Sequence, residues 1–302
     1  MPPYKYTYGP IKYHESRLSK EYRSRRTPRH DLLGSKVAGT TRLRPQWRNM
    51  LRLKDLAWLD DHRVPPHVLH PGAAHIVMAM VAAEHAYNEF PDALPINGLT
   101  MRNVSIKKTS VVPEDDYGVE IVLSMELEDS ATAMLPGWAS FSIASVVRDS
   151  DQWTEHCSGQ VKVEITPFEQ AAPINTTMDG RAVDAQTWYS RFADMGLQFG
   201  LSFQDYSDIR ADPAKNISTA KLALSTTEGM FPGGEPAYPI HPASLDLIIR
   251  LGLMAYNGGQ AETASVQLPI HFNQMRFTHG RLQGLKWATG VSRGELRGLR
   301  GA

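Results

Sequence analysis

Two stretches decide how this chain folds: HPGAAHIVMAMVAAEHAY at residues 70–87 and HPASLDLIIRLGLMAYNGG at residues 241–259. Each opens with His-Pro, and proline suits the first position of a helix. The second runs into Gly258 and Gly259, which suit a C-terminal cap. Both are apolar almost all the way round, so each is expected as a helix enclosed by sheet rather than lying on a surface. Around them the rhythm is that of strands. Val119, Ile121, Leu123, Met125 and Leu127 alternate with polar or smaller residues, the period-two signal of a half-buried strand. Phe141/Ile143, Val161/Val163/Ile165 and Val266/Leu268/Ile270/Phe272 read the same way, with Leu285/Trp287 following. The two helical stretches are similarly placed in the two halves of the chain. The sequence therefore reads as an internal duplication, an α+β fold of two antiparallel sheets, each wrapped around one hydrophobic helix.

The chain has 302 residues, with 32 basic and 32 acidic groups that cancel. That length fits one large domain or two of about 150 residues each. Hydrophobic residues make up 42% and charged residues 21%, ample material for a core and little case for disorder. The neutral balance argues against a nucleic-acid partner, because phosphate binding wants a strongly basic face. The single cysteine, Cys157, excludes an internal disulfide framework and a cysteine-rich zinc site. The longest purely apolar run, residues 76–83, is far short of the roughly 20 residues a membrane span needs. No charged region followed by an apolar signal core stands at the start. The expectation is a soluble, reduced, cytoplasmic globular chain with no membrane contact. Residues 1–30 are basic and rich in tyrosine, and are expected as a linker lying along a neighbouring domain. The strand pattern lapses around residues 166–183, so the halves are expected at 31–165 and 184–302 with that stretch as linker.

Few residues could carry chemistry. From Leu245 to Ala255 only Asp246 and Arg250 interrupt the apolar series, and four residues apart they project from one helix face. An exposed ion pair there would contribute at most a few tenths of a kcal/mol, roughly. One polar pair makes too narrow a stripe for an exposed face, so the carboxylate is expected to face a cavity or ligand. In the first half, WLDDHRVPPHVLHPG at 58–72 holds His62 ahead of the helix start, with prolines 65, 66 and 71 keeping the stretch irregular. A loop presenting His62 at a helix N-terminus is the expectation. His62, His67, His70 and His75 are close in sequence, but their spacing matches no zinc-ligand pattern, so no metal is expected. There is no nucleophile elbow, phosphate-cradling loop or dinucleotide fingerprint.

These segments resemble a known family. WLDDHRVPPHVLHPG resembles the histidine motif of polyketide synthase dehydratase domains, His-x-x-x-Gly-x-x-x-x-Pro, with His62 as its histidine and Pro71 as its proline, followed by Gly72. HPASLD is similar to the family's aspartate motif, with Asp246 as the aspartate. GLQFGLSFQ at 196–204 resembles the Tyr-Gly-Pro-x-Phe segment, matching at Gly200 and Phe203. ESRLSKEYRSRRTPRHDLLG at 15–34 resembles the entry into this domain in fungal-type, iterative, highly reducing synthases. The resemblance covers essentially the whole chain and implies a double-hotdog fold. It implies loss of water from a (3R)-3-hydroxyacyl thioester to give a trans-2-enoyl thioester, with His62 as base and Asp246 as acid. The partners it implies are an acyl carrier protein, whose phosphopantetheine arm carries the polyketide chain, the neighbouring synthase domains, and a homodimer through the parent synthase. It requires no cofactor in this domain. Pro66, His67, Pro71, Gly72, Phe199, Gly200, Phe203 and Arg250 are the substrate-binding positions it suggests.

Three positions depart from the family pattern. The motif glycine is Pro66, which has no backbone N–H to donate to a thioester carbonyl, leaving the amide of His67 as the nearest substitute. Arg250 stands where the family has Gln or His, and a permanent cation there favours the charged carboxylate and opposes an acid role. Phe199 and Leu201 replace the motif tyrosine and proline, removing a hydroxyl from the pocket wall. Against the dehydratase stand a non-catalytic scaffold of the same fold, a product-template cyclase and a hotdog thioesterase.

Overall fold

The computed structural model describes the chain except residues 1–8, 10–13, 26, 129–136, 169–179, 225–226, 228–229, 231–235, 263, 266, 280–284 and 294–302. The first half runs α1 (Arg17–Arg23), β1 (Ser35–Lys36), β2 (Gln46–Leu51), β3 (His62–Val64), β4 (His67–His70), α2 (Gly72–Asn88), β5 (Gly98–Ile106), β6 (Ser110–Val112), β7 (Val119–Leu127), β8 (Ala139–Val146) and β9 (Thr154–Glu164). The second half runs β10 (Arg181–Val183), α3 (Ala185–Asp194), β11 (Gln198–Phe199), β12 (Tyr206–Asp212), β13 (Ile217–Ala223), α4 (Pro242–Tyr256), β14 (His271–Thr278) and β15 (Trp287–Arg293). Short 3-10 turns occupy Ala57–Asp61 and Leu201–Phe203.

The two stretches that decided the reading are the two long helices. Thirteen of the 17 residues of α2 are buried, so sheet and neighbouring helix cover it on nearly every side. Its start differs from expectation: Pro71 is the cap and Gly72 the first helical residue. α4 begins as expected, with Pro242 in the first turn and the His241 ring accepting the Ala243 N–H. It ends on Gly258 and Gly259, whose φ values of 59° and 74° are easy only for glycine, and the Gly259 N–H closes onto the Met254 carbonyl at 2.8 Å. α4 is less enclosed than expected, since Ile248 and Tyr256 stay exposed.

The alternation read along residues 119–127 is realised in β7, whose Val119, Ile121, Leu123 and Met125 are all buried. That strand lies within a seven-stranded antiparallel sheet of order β1-β2-β7-β8-β9-β5-β14, which carries α2. A four-stranded sheet, β10-β12-β13-β15, packs against α4. Two departures from the simple duplication follow. The second half lends β14 to the sheet of the first, through its pairing with β5. A third, small sheet, β11-β3-β4-β6, joins strands from both halves. The strand expected around residues 266–272 is also displaced. Its ladder starts at His271, while Leu268 and Ile270 are exposed and Val266 lies outside the described residues. Of the stretch expected as a linker at 166–183, residues 169–179 lie outside the described residues, and Arg181–Val183 pair with β12. Among the described residues no helix is long and apolar enough to cross a membrane.

Among the described residues there are two cores, and α4 contributes to both. Ala243 and Leu245 belong with α2, Ile121, Ile143 and Val161, whereas Leu247, Leu251 and Met254 pack with Trp188, Phe192 and Leu222. Asp246 therefore sits at the seam. Phe203, from the second half but fully buried in the first core, spans the same seam. Burying such a side chain contributes about 1.5–3 kcal/mol, so the junction is a packed interface and not a flexible joint.

The interior holds several histidines whose imidazoles are kept neutral. Burial pushes His30 down to about 4 and His75 and His241 down to about 3. The unfolded chain protonates these rings from pH ~6.5 downward, while the folded chain does not until pH falls well below 5. Their contribution to stability is complete above pH ~6.5 and declines as the pH drops. At pH 5 each of the three costs about 2 kcal/mol relative to neutral pH, about 6 kcal/mol together, against a total of about 5–15 kcal/mol for a folded domain. Thermal unfolding between pH 7.5 and 5 is expected to show the midpoint falling by at least about 10 °C. A midpoint that stays level would mean that these rings are protonated in the folded protein.

Candidate active site

His62 was expected in a loop, but it opens a strand. The turn at Ala57–Asp61 delivers the chain into β3, and β3 turns back into β4 across Pro65 and Pro66. Neither proline can donate to a ladder, which is why the hairpin reverses there. The His62 Nδ1 lies 3.0 Å from the Leu69 carbonyl oxygen. A carbonyl can only accept, so Nδ1 carries the hydrogen, and the lone pair of the neutral ring is on Nε2. One face of the ring environment comes from the second half of the chain: β11 pairs with β3 so that Phe199 stands opposite His62. The Phe199 and Phe203 ring centroids lie 5.4 and 5.2 Å from that of His62. Burial among these groups lowers the His62 pKa, the Asp246 charge opposes that shift, and Arg250 adds to it. The carboxylate of the second half thus acts on the imidazole of the first across the seam.

Asp246 and Arg250 share a helix face, as their spacing requires, and both are largely buried. The Arg250 Nε donates to Asp246 Oδ2 at 2.7 Å, with the two side chains 9% and 13% exposed. This is not the solvated pair that four-residue spacing usually makes. The Arg250 Nη2 donates to the Phe203 carbonyl at 2.7 Å, and the guanidinium carbon lies 3.9 Å from the Phe199 ring centre, with Phe192, Phe203 and Tyr206 about it at 5.9–6.0 Å. A weakly hydrated, planar cation tolerates such a box of aromatic faces far better than an ammonium would. The Tyr206 hydroxyl donates to the Leu247 carbonyl in the same helix.

The residues suggested by sequence are therefore not all in one place. His62, Phe199, Gly200, Phe203, Asp246 and Arg250 converge. Pro71 and Gly72 form the start of α2. Pro66 and His67 lie at the exposed tip of the β3–β4 hairpin, where His67 pairs across the ladder with Val64. His70 and His75 bond to each other, Nδ1 to Nε2 at 3.1 Å, and His75 stacks on His156. Among the described residues no group of three or more His, Cys, Asp or Glu is disposed to hold a metal ion. Sequence reasoning missed Asp61, which fastens residues 200–202 beside His62, and Trp58, whose ring lies 6.1 Å from that of Phe203. Asp61 stands next to His62 in sequence, but nothing local marks its partners, which are 139 and 141 residues away (200 − 61 and 202 − 61).

The chain resembles known proteins along its whole length. A family model described as "Polyketide synthase dehydratase domain" matches residues 30–146, and one described as "Polyketide synthase dehydratase N-terminal domain" matches residues 167–301. All of the chain aligns at 86% identity with 12% of highly reducing polyketide synthase xilA of Penicillium rubens. It aligns at 47% identity, again over its whole length, with 11% of prosolanapyrone synthase of Alternaria solani. The chain thus spans only about an eighth of these curated relatives. The dehydratase domain from the CurK module of the curacin polyketide synthase superposes with a TM-score of 0.70 at 20% identity, over 89% of this chain and 88% of that one. Two of its variants, one with a histidine changed to phenylalanine and one with an aspartate changed to asparagine, are described as inactive mutants and superpose with TM-scores of 0.70 and 0.68. These neighbours are double hotdogs, the architecture expected from the duplication. On its sequence, its two cores and the strands exchanged between them, this chain belongs to the polyketide synthase dehydratase domains.

Proposed function

We propose that this domain removes water from (3R)-3-hydroxyacyl thioesters carried on an acyl carrier protein, giving trans-2-enoyl thioesters, with His62 as base and Asp246 as acid. The observation that carries this reading is the paired state of the two groups. His62 is held neutral with its basic Nε2 free of the Leu69 contact, and the carboxylate from the other half acts on it electrostatically. That one histidine and one aspartate variant of the CurK domain are each inactive mutants supports looking for such a pair.

The chemistry needs both groups, because an α-proton beside a thioester is only weakly acidic and hydroxide leaves poorly. The Nε2 of His62 takes the α-proton as the carbon–carbon double bond forms. The carbon–oxygen bond breaks, and the hydroxyl departs as water with a proton from Asp246. Arg250 engages Oδ2, so Asp246 must first take up on Oδ1 the proton that it gives to the leaving hydroxyl. The proton gained by His62 then returns to Asp246, which resets the pair for the next turn. The aromatic surroundings leave His62 and Asp246 only partly exposed, which limits their contact with bulk water. The reaction calls on no metal, nucleotide or organic cofactor of this domain, and the phosphopantetheine arm belongs to the carrier protein. Tethering on that arm raises the effective concentration of the chain.

The arginine held against Asp246 also favours a second reading, a scaffold of the same fold whose carboxylate is locked in an ion pair. Incubation with 3-hydroxyacyl pantetheine thioesters separates the two, with products followed by mass. Loss of 18 Da without release of the thiol is the expected result. Free acid would indicate a hydrolase, and no turnover at any chain length would favour the scaffold.

A further inference from the structure

We infer that Asp61 is a positioning residue, a clasp that ties the 198–203 segment of the second half to the first and thereby keeps Phe199 and Phe203 packed against the partly buried His62. Its backbone carbonyl accepts the Gly200 N–H at 2.7 Å, and its carboxylate Oδ2 accepts the Ser202 N–H at 2.9 Å. Between these bonds the fit is so close that a Cβ on Gly200 would stand 1.9 Å from Asp61 Oδ1 and 2.3 Å from Cγ. A side chain there would have to push the Asp61 carboxylate aside. The Phe203 N–H then closes onto the Gly200 carbonyl at 3.0 Å, and the same turn offers the Phe203 carbonyl to Arg250. One residue before His62 thus sets the placement of both aromatic rings that pack on it and of the carbonyl that orients the Asp246–Arg250 pair.

A carboxylate accepting a backbone N–H is a strong, directional tether. Cutting it leaves the Ser202 N–H without its partner and frees the segment to lift. The charged and titratable groups facing His62 are Asp246 and Arg250 from α4 and His70 from β4, and none of them is altered by a change at Asp61. Water admitted at the ring removes the desolvation that holds its proton affinity down, so His62 should titrate closer to an ordinary imidazole.

The turnover arm of the test rests on the proposed dehydration, whereas the titration arm does not. In histidine-labelled protein followed by NMR, the His62 signal is identified by its loss in His62→Phe. Asp61→Ala is expected to raise the His62 titration midpoint by at least about half a pH unit. Asp61→Asn, whose amide oxygen can still accept the Ser202 N–H, is expected to stay near wild type. With 3-hydroxyacyl pantetheine thioesters, Asp61→Ala should lower kcat by about 10–100-fold with KM changed less than about threefold. Should Asp61→Ala fail to fold, Gly200→Ala displaces the same segment from the other side and should produce the same upward shift. An unshifted His62 in a folded Asp61→Ala or Gly200→Ala protein overturns the clasp, as does equal damage from Asp61→Asn. A wild-type protein without turnover that still shows the titration difference overturns the dehydration and leaves the clasp standing.

Discussion

Replacing His62 by alanine is expected to lower dehydration by about 10²–10⁴-fold, the usual worth of a positioned general base, while the fold stays intact. The ring is held by one bond to the Leu69 carbonyl and by contacts with Phe199 and Phe203, so its removal opens a small void at the seam without stranding a charge. The pH profile of the wild type supplies a second check. A base must be neutral to work, and burial lowers the His62 pKa. The rate should therefore hold level as the pH falls through 6.5 and decline only below it, provided that it is read on a timescale short of acid unfolding. Initial rates of enoyl formation over pH 5–9 measure both. A variant with near-wild-type turnover would remove His62 from the chemistry.

Asp246→Ala is expected to do more than silence the enzyme. Arg250 is 8% exposed, with Asp246 as its counter-charge. Deleting the carboxylate leaves a buried cation with only the Phe203 carbonyl and aromatic faces about it. Breaking a buried pair from one side costs about 3–5 kcal/mol. The conservative Asp246→Asn keeps an oxygen that can accept the Nε–H, and its cost should be about 1–2 kcal/mol. Both variants should lack dehydration, so the asparagine variant is the one that tests the acid role, and the alanine variant tests the burial of the pair. In the double variant Asp246→Leu/Arg250→Leu, with both charges gone, most of the lost stability should return. Urea midpoints of the four proteins decide the matter. If alanine and asparagine cost the same, the guanidinium finds solvent and the pair is not held as the structure has it.

This last expectation shows where local pattern stopped being informative. Four-residue spacing put Asp246 and Arg250 on one helix face, and the narrowness of that polar stripe pointed inward. What the stripe could not reveal was its surroundings, four aromatic side chains from α3, β11, β12 and the turn between the last two. Similarly, the prolines around His62 read as a loop because they break a helix and interrupt a ladder, yet a two-residue reversal between short strands satisfies the same residues. The segment at 266–272 alternated like a strand, but alternation says only that one face could be buried, and there no partner strand begins before His271.

The amino-acid sequence alone settled the two enclosed helices, the antiparallel strands around them and the duplication, because period and capping are properties of neighbours a few residues apart. It also marked out His62 and Asp246 as the residues on which chemistry would rest. Tertiary structure alone decided that β14 crosses into the first sheet, that α4 feeds both cores around Asp246, and that Asp61 grips Gly200 and Ser202. The β5–β14 ladder and the Asp61 bonds join residues more than a hundred positions apart, and no local rule of hydrophobicity or turn chemistry encodes a register between strands so distant along the chain.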